Sequence, residues 1–193
     1  MAAPAMPDLL EQLAGGDRRT LGRSAEVAAQ VLAQPAWIDR LFDGLAEDDT
    51  VIRGRAADAL EKVAAARPDL IQPYKDELLT QVVAIDDWVV RAHLCQILPR
   101  LGGLTPAERR RALATVHGYL ADRSSIVRAL ALECLVHLSR TAGFSRERKT
   151  VDALVLRLTT AGGTPALRAR ARKMQRFIQR AAADRGRGRQ PAS

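Results

Sequence analysis

Three histidines, two cysteines and 30 lysines and arginines are the side chains through which this chain of 193 residues could do chemistry. A metal site needs several imidazole or thiolate ligands converging at ligand spacing. His93, His117, His137, Cys95 and Cys134 do not provide that spacing. His93 and Cys95 are two residues apart, and side chains two apart on a helix point to different sides. Both cysteines lie inside apolar runs, where a thiol behaves as a small buried hydrophobe, and two are too few for a disulfide framework. There is no glycine-rich phosphate loop, nucleophile elbow or HExxH zinc motif. Gly102-Gly103 and Gly162-Gly163 read as helix stops. The expectation is a protein with no catalytic residue, no metal and no cofactor.

That leaves the cations. The formal net charge is +8, and it is unevenly placed. Residues 1–100 hold 11 basic and 16 acidic side chains, residues 101–163 hold 10 and 5, and residues 164–193 hold nine basic and one acidic, Asp184. An acidic front and a basic rear suggest an oriented partner surface. Arg109, Arg110, Arg111, Arg146, Arg148 and Lys149 are read as first-turn residues of two helices, where positive charge opposes the helix dipole by ~0.3–1 kcal/mol each. Arg140 and Arg180 are expected on the same edge, with Arg168, Arg170 and Lys173 extending it. Residues 184–193 are expected to form a basic disordered tail. Such an edge fits an anionic partner: an acidic protein or peptide first, with nucleic acid as the alternative. Phosphate binding would be salt-sensitive. Tyr119, Phe144 and Phe177 are too few to form a stacking platform for bases.

The elements that must position these residues repeat along the chain. Segments beginning Val51-Ile52-Arg53-Gly54, Val89-Val90-Arg91-Ala92, Ile126-Val127-Arg128-Ala129 and Ala166-Leu167-Arg168-Ala169 align without gaps, their arginines 38, 37 and 40 residues apart. Ala56, Leu94, Ala131 and Ala171 follow three places after the arginine, and Ala59, Ile97, Cys134 and Met174 six places after it. That is the apolar stripe of a helix. Each is preceded by a second helical pattern, over 35–46, 69–84, 105–121 and 146–160. Thr105-Pro106-Ala107-Glu108 carries a capping box with proline in the first turn, and Thr164-Pro165 opens the last helix in the same way.

This pattern resembles the HEAT repeat family. Asp49 and Asp87 stand four residues before Arg53 and Arg91, and Asp122 stands six before Arg128. The resemblance implies an all-α fold, a right-handed α-solenoid of about four to five stacked antiparallel helix pairs. It also implies a ladder between neighbouring repeats made by Asp49, Arg53, Asp87, Arg91, Asp122 and Arg128. The fourth repeat departs from it, because Gly162 and Thr164 stand where an acid would and leave Arg168 without one. The implied organisation is an N-terminal helical cap over 1–34 and repeats over 35–66, 69–101, 105–141 and 145–183. The function it implies is a non-catalytic scaffold, since such stacks host many activities. The nucleic-acid alternative extends to a resemblance to the DNA alkylation repair solenoids. Those use aromatic and acidic residues on a concave face, where this chain offers only Phe177 as an aromatic.

Positions two, five and nine after each aligned arginine should form an exposed inner strip. They are Arg55, Asp58 and Lys62; His93, Gln96 and Arg100; Leu130, Glu133 and His137; and Arg170, Lys173 and Phe177. Leu130 and Phe177 would either pack on a neighbouring helix or anchor a partner. Trp88, in a turn, either covers an edge or serves as a binding anchor. Trp37 is expected to pack with Ile38, Leu41 and Phe42. No stretch approaches the ~18 apolar residues of a membrane span, and the N-terminus lacks a basic region followed by an apolar core. A monomeric cytoplasmic protein is expected.

Overall fold

The computed structural model describes residues 8–17 and 20–187. Among these residues every regular element is a helix, and the helices pack against one another. The chain forms two compact units, Met1–Ala112 and Leu113–Ser193.

The first unit is organised around one helix. Its elements are α1 (Leu9–Leu13), α2 (Ser24–Ala33), α3 (Ile38–Leu45), α4 (Thr50–Ala66), α5 (Pro68–Ile71), α6 (Lys75–Thr80), α7 (Trp88–Ile97) and the start of α8 (Pro106–Gly118). Helix α4 packs against α2, α3 and α7, and every residue from Gly54 to Leu60 is buried. Small side chains at Ala56, Ala57 and Ala59 let those neighbours approach. Asp49 caps α4 by accepting from the Val51 N–H at 2.7 Å, and Asp87 caps α7 by accepting from the Val89 N–H at 2.8 Å. The continuous helix expected over 69–84 is broken: 3-10 turns at Gln72–Tyr74 and Val82–Ala84 flank α6. Pro73 lacks the N–H that an unbroken α-helix would require there. The break lets Tyr74 stack on Phe42, ring centroids 4.1 Å apart. Trp37 lies in a 3-10 turn before α3, half-buried beside the core rather than in it.

The capping box at the start of α8 forms as expected. The Thr105 N–H donates to Glu108 Oε2 at 2.7 Å and the Glu108 N–H donates to Thr105 Oγ1 at 3.2 Å. Because Pro106 takes the first helical position, Arg109–Arg111 fall in the second turn, with Glu108 in the first. The dipole penalty expected for those arginines is thereby reduced, since the effect fades beyond the first turn.

The second unit holds the rest of α8, then α9 (Ser125–Leu138), α10 (Ser145–Thr160) and α11 (Pro165–Arg187). Helix α11 packs on both α9 and α10. It buries Leu167, Ala171 and Met174 against a core that includes Leu132, Leu135 and Leu138. Glycines at positive φ, Gly162 and Gly163, separate α10 from α11. Helix α11 continues through residues 184–187, where a tail was expected, and 188–193 lie outside the described residues. Cys95 and Cys134 are both buried, one in each unit.

Three of the aligned arginines share one contact. Arg53, Arg128 and Arg168 each donate from Nη1 to a carbonyl in the loop before their own helix: Glu47 at 2.7 Å, Asp122 at 3.0 Å and Gly163 at 3.0 Å. Arg168, expected to be released by the missing acid, is instead tied to this loop. Arg53 also pairs with the buried Asp87, the N-cap of α7, at 3.1 Å. Arg91 pairs with Asp86 at 3.0 Å.

Candidate functional site

In the first unit the residues expected on an exposed strip are occupied in holding the fold. Arg55 and Asp58 are 6% and 4% exposed. The strip faces the N-terminal segment, because α2 and the loop before it close over α4. The Arg55 guanidinium has no carboxylate. Nη1 donates to the carbonyls of Leu13 and Gly15 at 2.7 Å, Nη2 to Asp17 O at 3.2 Å and Thr20 Oγ1 at 3.1 Å, and Nε to Thr20 O at 3.2 Å. Gly22 leaves it room: a Cβ there would lie 2.6 Å from Arg55 Cζ.

Asp58 accepts from Ser24 Oγ and Lys62 Nζ, and its other oxygen lies 3.8 Å from His93 Nε2. Serine, acid and histidine thus come together, but not as a nucleophile with its base. The serine hydroxyl is fully buried and donates to the carboxylate, whereas nucleophilic chemistry needs a base to take that proton beside an open face. Burial lowers the His93 pKa against the opposing pull of Asp58 and Glu61. Gln96 is half-buried, and Arg100 pairs with Glu61 at 2.7 Å. An apolar cleft of about 750 Å³ beside Pro68, Gln72, Pro73 and Gly102 is bordered by Lys75 and Arg100. Both cations are already matched, by Glu108 and Glu61. Trp88 is half-buried at the first turn of α7. Arg109 is half-buried, and Arg110 and Arg111 are exposed.

The second unit is different. Residues 113–193 carry 16 Lys/Arg against five Asp/Glu, and no acid occurs between Asp152 and Asp184. Some expected edge residues are neutralised. Arg140 pairs with Asp152 at 2.5 Å, and Glu133 takes both Arg170 and Lys173, the latter at 3.1 Å. Arg146, Arg148 and Lys149 at the start of α10, and Arg172, Arg176 and Arg180 on α11, make no ion pair among the described residues.

Those last three define a surface. Helix α11 buries Leu167, Ala171 and Met174, with Ile178 half-buried. At 100° per residue, Arg172, Arg176 and Arg180 lie on the far side, about 6 Å apart along the axis, and all are exposed. Like charges at i, i+4 weaken a helix by about 0.2–0.5 kcal/mol per pair, so the fold carries this ridge against its own stability. Arg172 and Arg176 were missed in the sequence. Their signal was there, a four-residue arginine spacing opposite the apolar stripe.

Beside the ridge, α9 and α11 frame a recess of about 440 Å³, lined by Glu133, His137, Lys173, Met174, Arg176, Phe177 and Arg180. The Phe177 and His137 rings meet at 5.0 Å, tilted by 59°. Phe177 is 37% exposed, the only exposed aromatic among the described residues. Burial, with Arg140 and Lys173 adding to it, lowers the His137 pKa and favours the neutral ring.

Among the described residues no group of three or more His, Cys, Asp or Glu is placed to hold a metal ion, and no helix is long and apolar enough to cross a membrane. No protein-family model, curated protein or solved structure matches the chain.

Proposed function

We propose that this chain is a non-catalytic binding module of stacked HEAT-like helix pairs, and that its second unit takes an acidic protein or peptide segment on its cationic surface. The stacking is supported by the order of neighbours: α2 packs on α4 and α4 on α7 in the first unit, and α9 on α11 in the second. Each is a second helix of a repeat beside the next. The observation that carries the binding reading is the ridge of Arg172, Arg176 and Arg180, exposed and without an ion pair among the described residues, on a helix that has no acid from its start to residue 183. Guanidinium forks match carboxylates in pairs, which makes an acidic side-chain surface their natural complement. Two buried cysteines outside any disulfide fit a reducing, cytoplasmic setting.

Nucleic acid is the second reading, because a linear row of arginines also meets a phosphate backbone. The single exposed aromatic argues for peptide over bases, which single-strand binders stack on several rings. Fluorescence anisotropy separates the two, with a labelled Glu/Asp-rich peptide and a labelled single-stranded oligonucleotide of matched charge. The acidic peptide is expected to bind, more weakly as salt rises, and the triple variant R172E/R176E/R180E to lose it. Tighter binding of the oligonucleotide at every salt concentration would replace this reading with the second.

A further inference from the structure

The recess beside the ridge combines an apolar floor with a charged mouth. Met174, 2% exposed, and the Phe177 ring form the floor, and His137 closes one wall through its ring contact with Phe177. The one carboxylate that lines it, Glu133, is taken by Arg170 and Lys173 and so offers nothing to an incoming cation. Arg176 and Arg180 stand at the mouth with no ion pair among the described residues. A flat cationic helix would accept any polyanion. A recess of this size, within the range of ligand pockets, discriminates by what enters it. A half-exposed aromatic ringed by arginines has the composition of an interface anchor point, where apolar contact supplies affinity and the charged rim supplies register.

We infer that this recess receives one large apolar side chain, of the Leu or Phe class, from an acidic peptide segment whose flanking carboxylates pair with Arg176 and Arg180. The partner motif is therefore an apolar residue bracketed by Asp or Glu, and a uniform acidic run is a poorer ligand. This rests on the acidic-peptide reading above and narrows it.

The test uses the full chain and two labelled peptides, identical Glu/Asp-rich sequences with either Leu or Ser at the centre. The Leu peptide is expected to bind about tenfold tighter, the effect of burying one such side chain in a partly open recess. Phe177→Ala should bring the Leu peptide down to the affinity of the Ser peptide. A second readout needs no variant: in the wild-type chain the His137 ring proton resonances shift with the Leu peptide and stay in place with the Ser peptide. Equal, salt-sensitive binding of both peptides with no His137 response overturns the recess and leaves the acidic-peptide reading standing. A Leu preference that survives in Phe177→Ala with an unmoved His137 also overturns it, by placing the anchor elsewhere. Failure of both peptides to bind at low salt overturns the reading and the recess with it.

Discussion

The two units use the same residue types for opposite ends. In the first, Arg23, Arg40, Arg53, Lys62, Arg67, Lys75, Arg91 and Arg100 each pair with a carboxylate, and the buried Arg55 is saturated by carbonyls and a hydroxyl. In the second, the acids Glu133 and Asp152 absorb three cations, and the row on α11 makes no ion pair among the described residues. Charge in the first unit is largely matched within the unit. In the second it is surplus, set against local helix stability, and surplus charge held in register is what a partner can use. Net charge already separates the two, and what the structure adds is where each guanidinium is placed.

The sharpest way to break this contrast is Arg55→Met. It leaves the buried carbonyl of Leu13 and the part-buried carbonyls of Gly15, Asp17 and Thr20 without this donor and is expected to destabilise the first unit by about 3–5 kcal/mol, read from urea unfolding. Little change would mean that the N-terminal loop is loosely held and that the first unit is not built on its charges. Next in size is a paired comparison. Arg53→Met removes an ion pair from the carboxylate of Asp87, whose side chain is 2% exposed, and should cost about 3 kcal/mol. Arg168→Met, which removes only a bond to a loop carbonyl, should cost no more than about 1 kcal/mol. Equal losses would erase the distinction between matched and surplus arginines.

A smaller effect of opposite sign is expected on the ridge. Arg176→Glu turns two like-charge neighbours into attractive ones and should stabilise the chain by about 0.5–1 kcal/mol at low salt, fading as screening increases. The same variant should weaken acidic-peptide binding. A variant that gains stability while losing its ligand is the signature of a surface kept for binding.

The smallest effect concerns the histidines. Both His93 and His137 have folded pKa values below 6.5, so the unfolded chain binds more protons. Their contribution to stability is therefore full above that value and declines as pH falls from 6.5 through each lowered folded value. Salt tells them apart. Screening relieves the repulsion of Arg140 and Lys173 and moves the His137 pKa up, while for His93 it weakens the help of Asp58 and Glu61 and moves it down. Proton NMR titrations at two ionic strengths would show the opposite displacements.

Features written in local pattern could be read from the sequence. The aligned arginines do open or enter helices, the Thr105–Glu108 box forms, the cysteines are buried, and Asp87 and Arg53 meet. What escaped depends on contacts remote in sequence. Helical period alone placed Arg55 and Asp58 on an exposed inner strip. Only residues 13–17 and 20–24, folding back over α4, bury them, and they carry no period to read. Arg140 was assigned to the basic edge because its partner, Asp152, lies on another helix. The ridge was half seen: Arg180 was assigned to an edge, but the four-residue spacing that joins it to Arg172 and Arg176 was overlooked in favour of the repeat register.

The arginine clamp in the first unit also bears on how the chain is made and cut. Helix α4 carries a guanidinium whose acceptors, apart from one hydroxyl, are backbone oxygens supplied by residues 13–20. Those residues leave the ribosome before α4 does, and so wait for the charge they will enclose. A fragment begun after residue 20, at what looks like a convenient boundary before α2, would bring α4 to its neighbours with a bare cation facing them. Its apolar packing would then have to open to water, and its insolubility would be misread as a fault of the repeats.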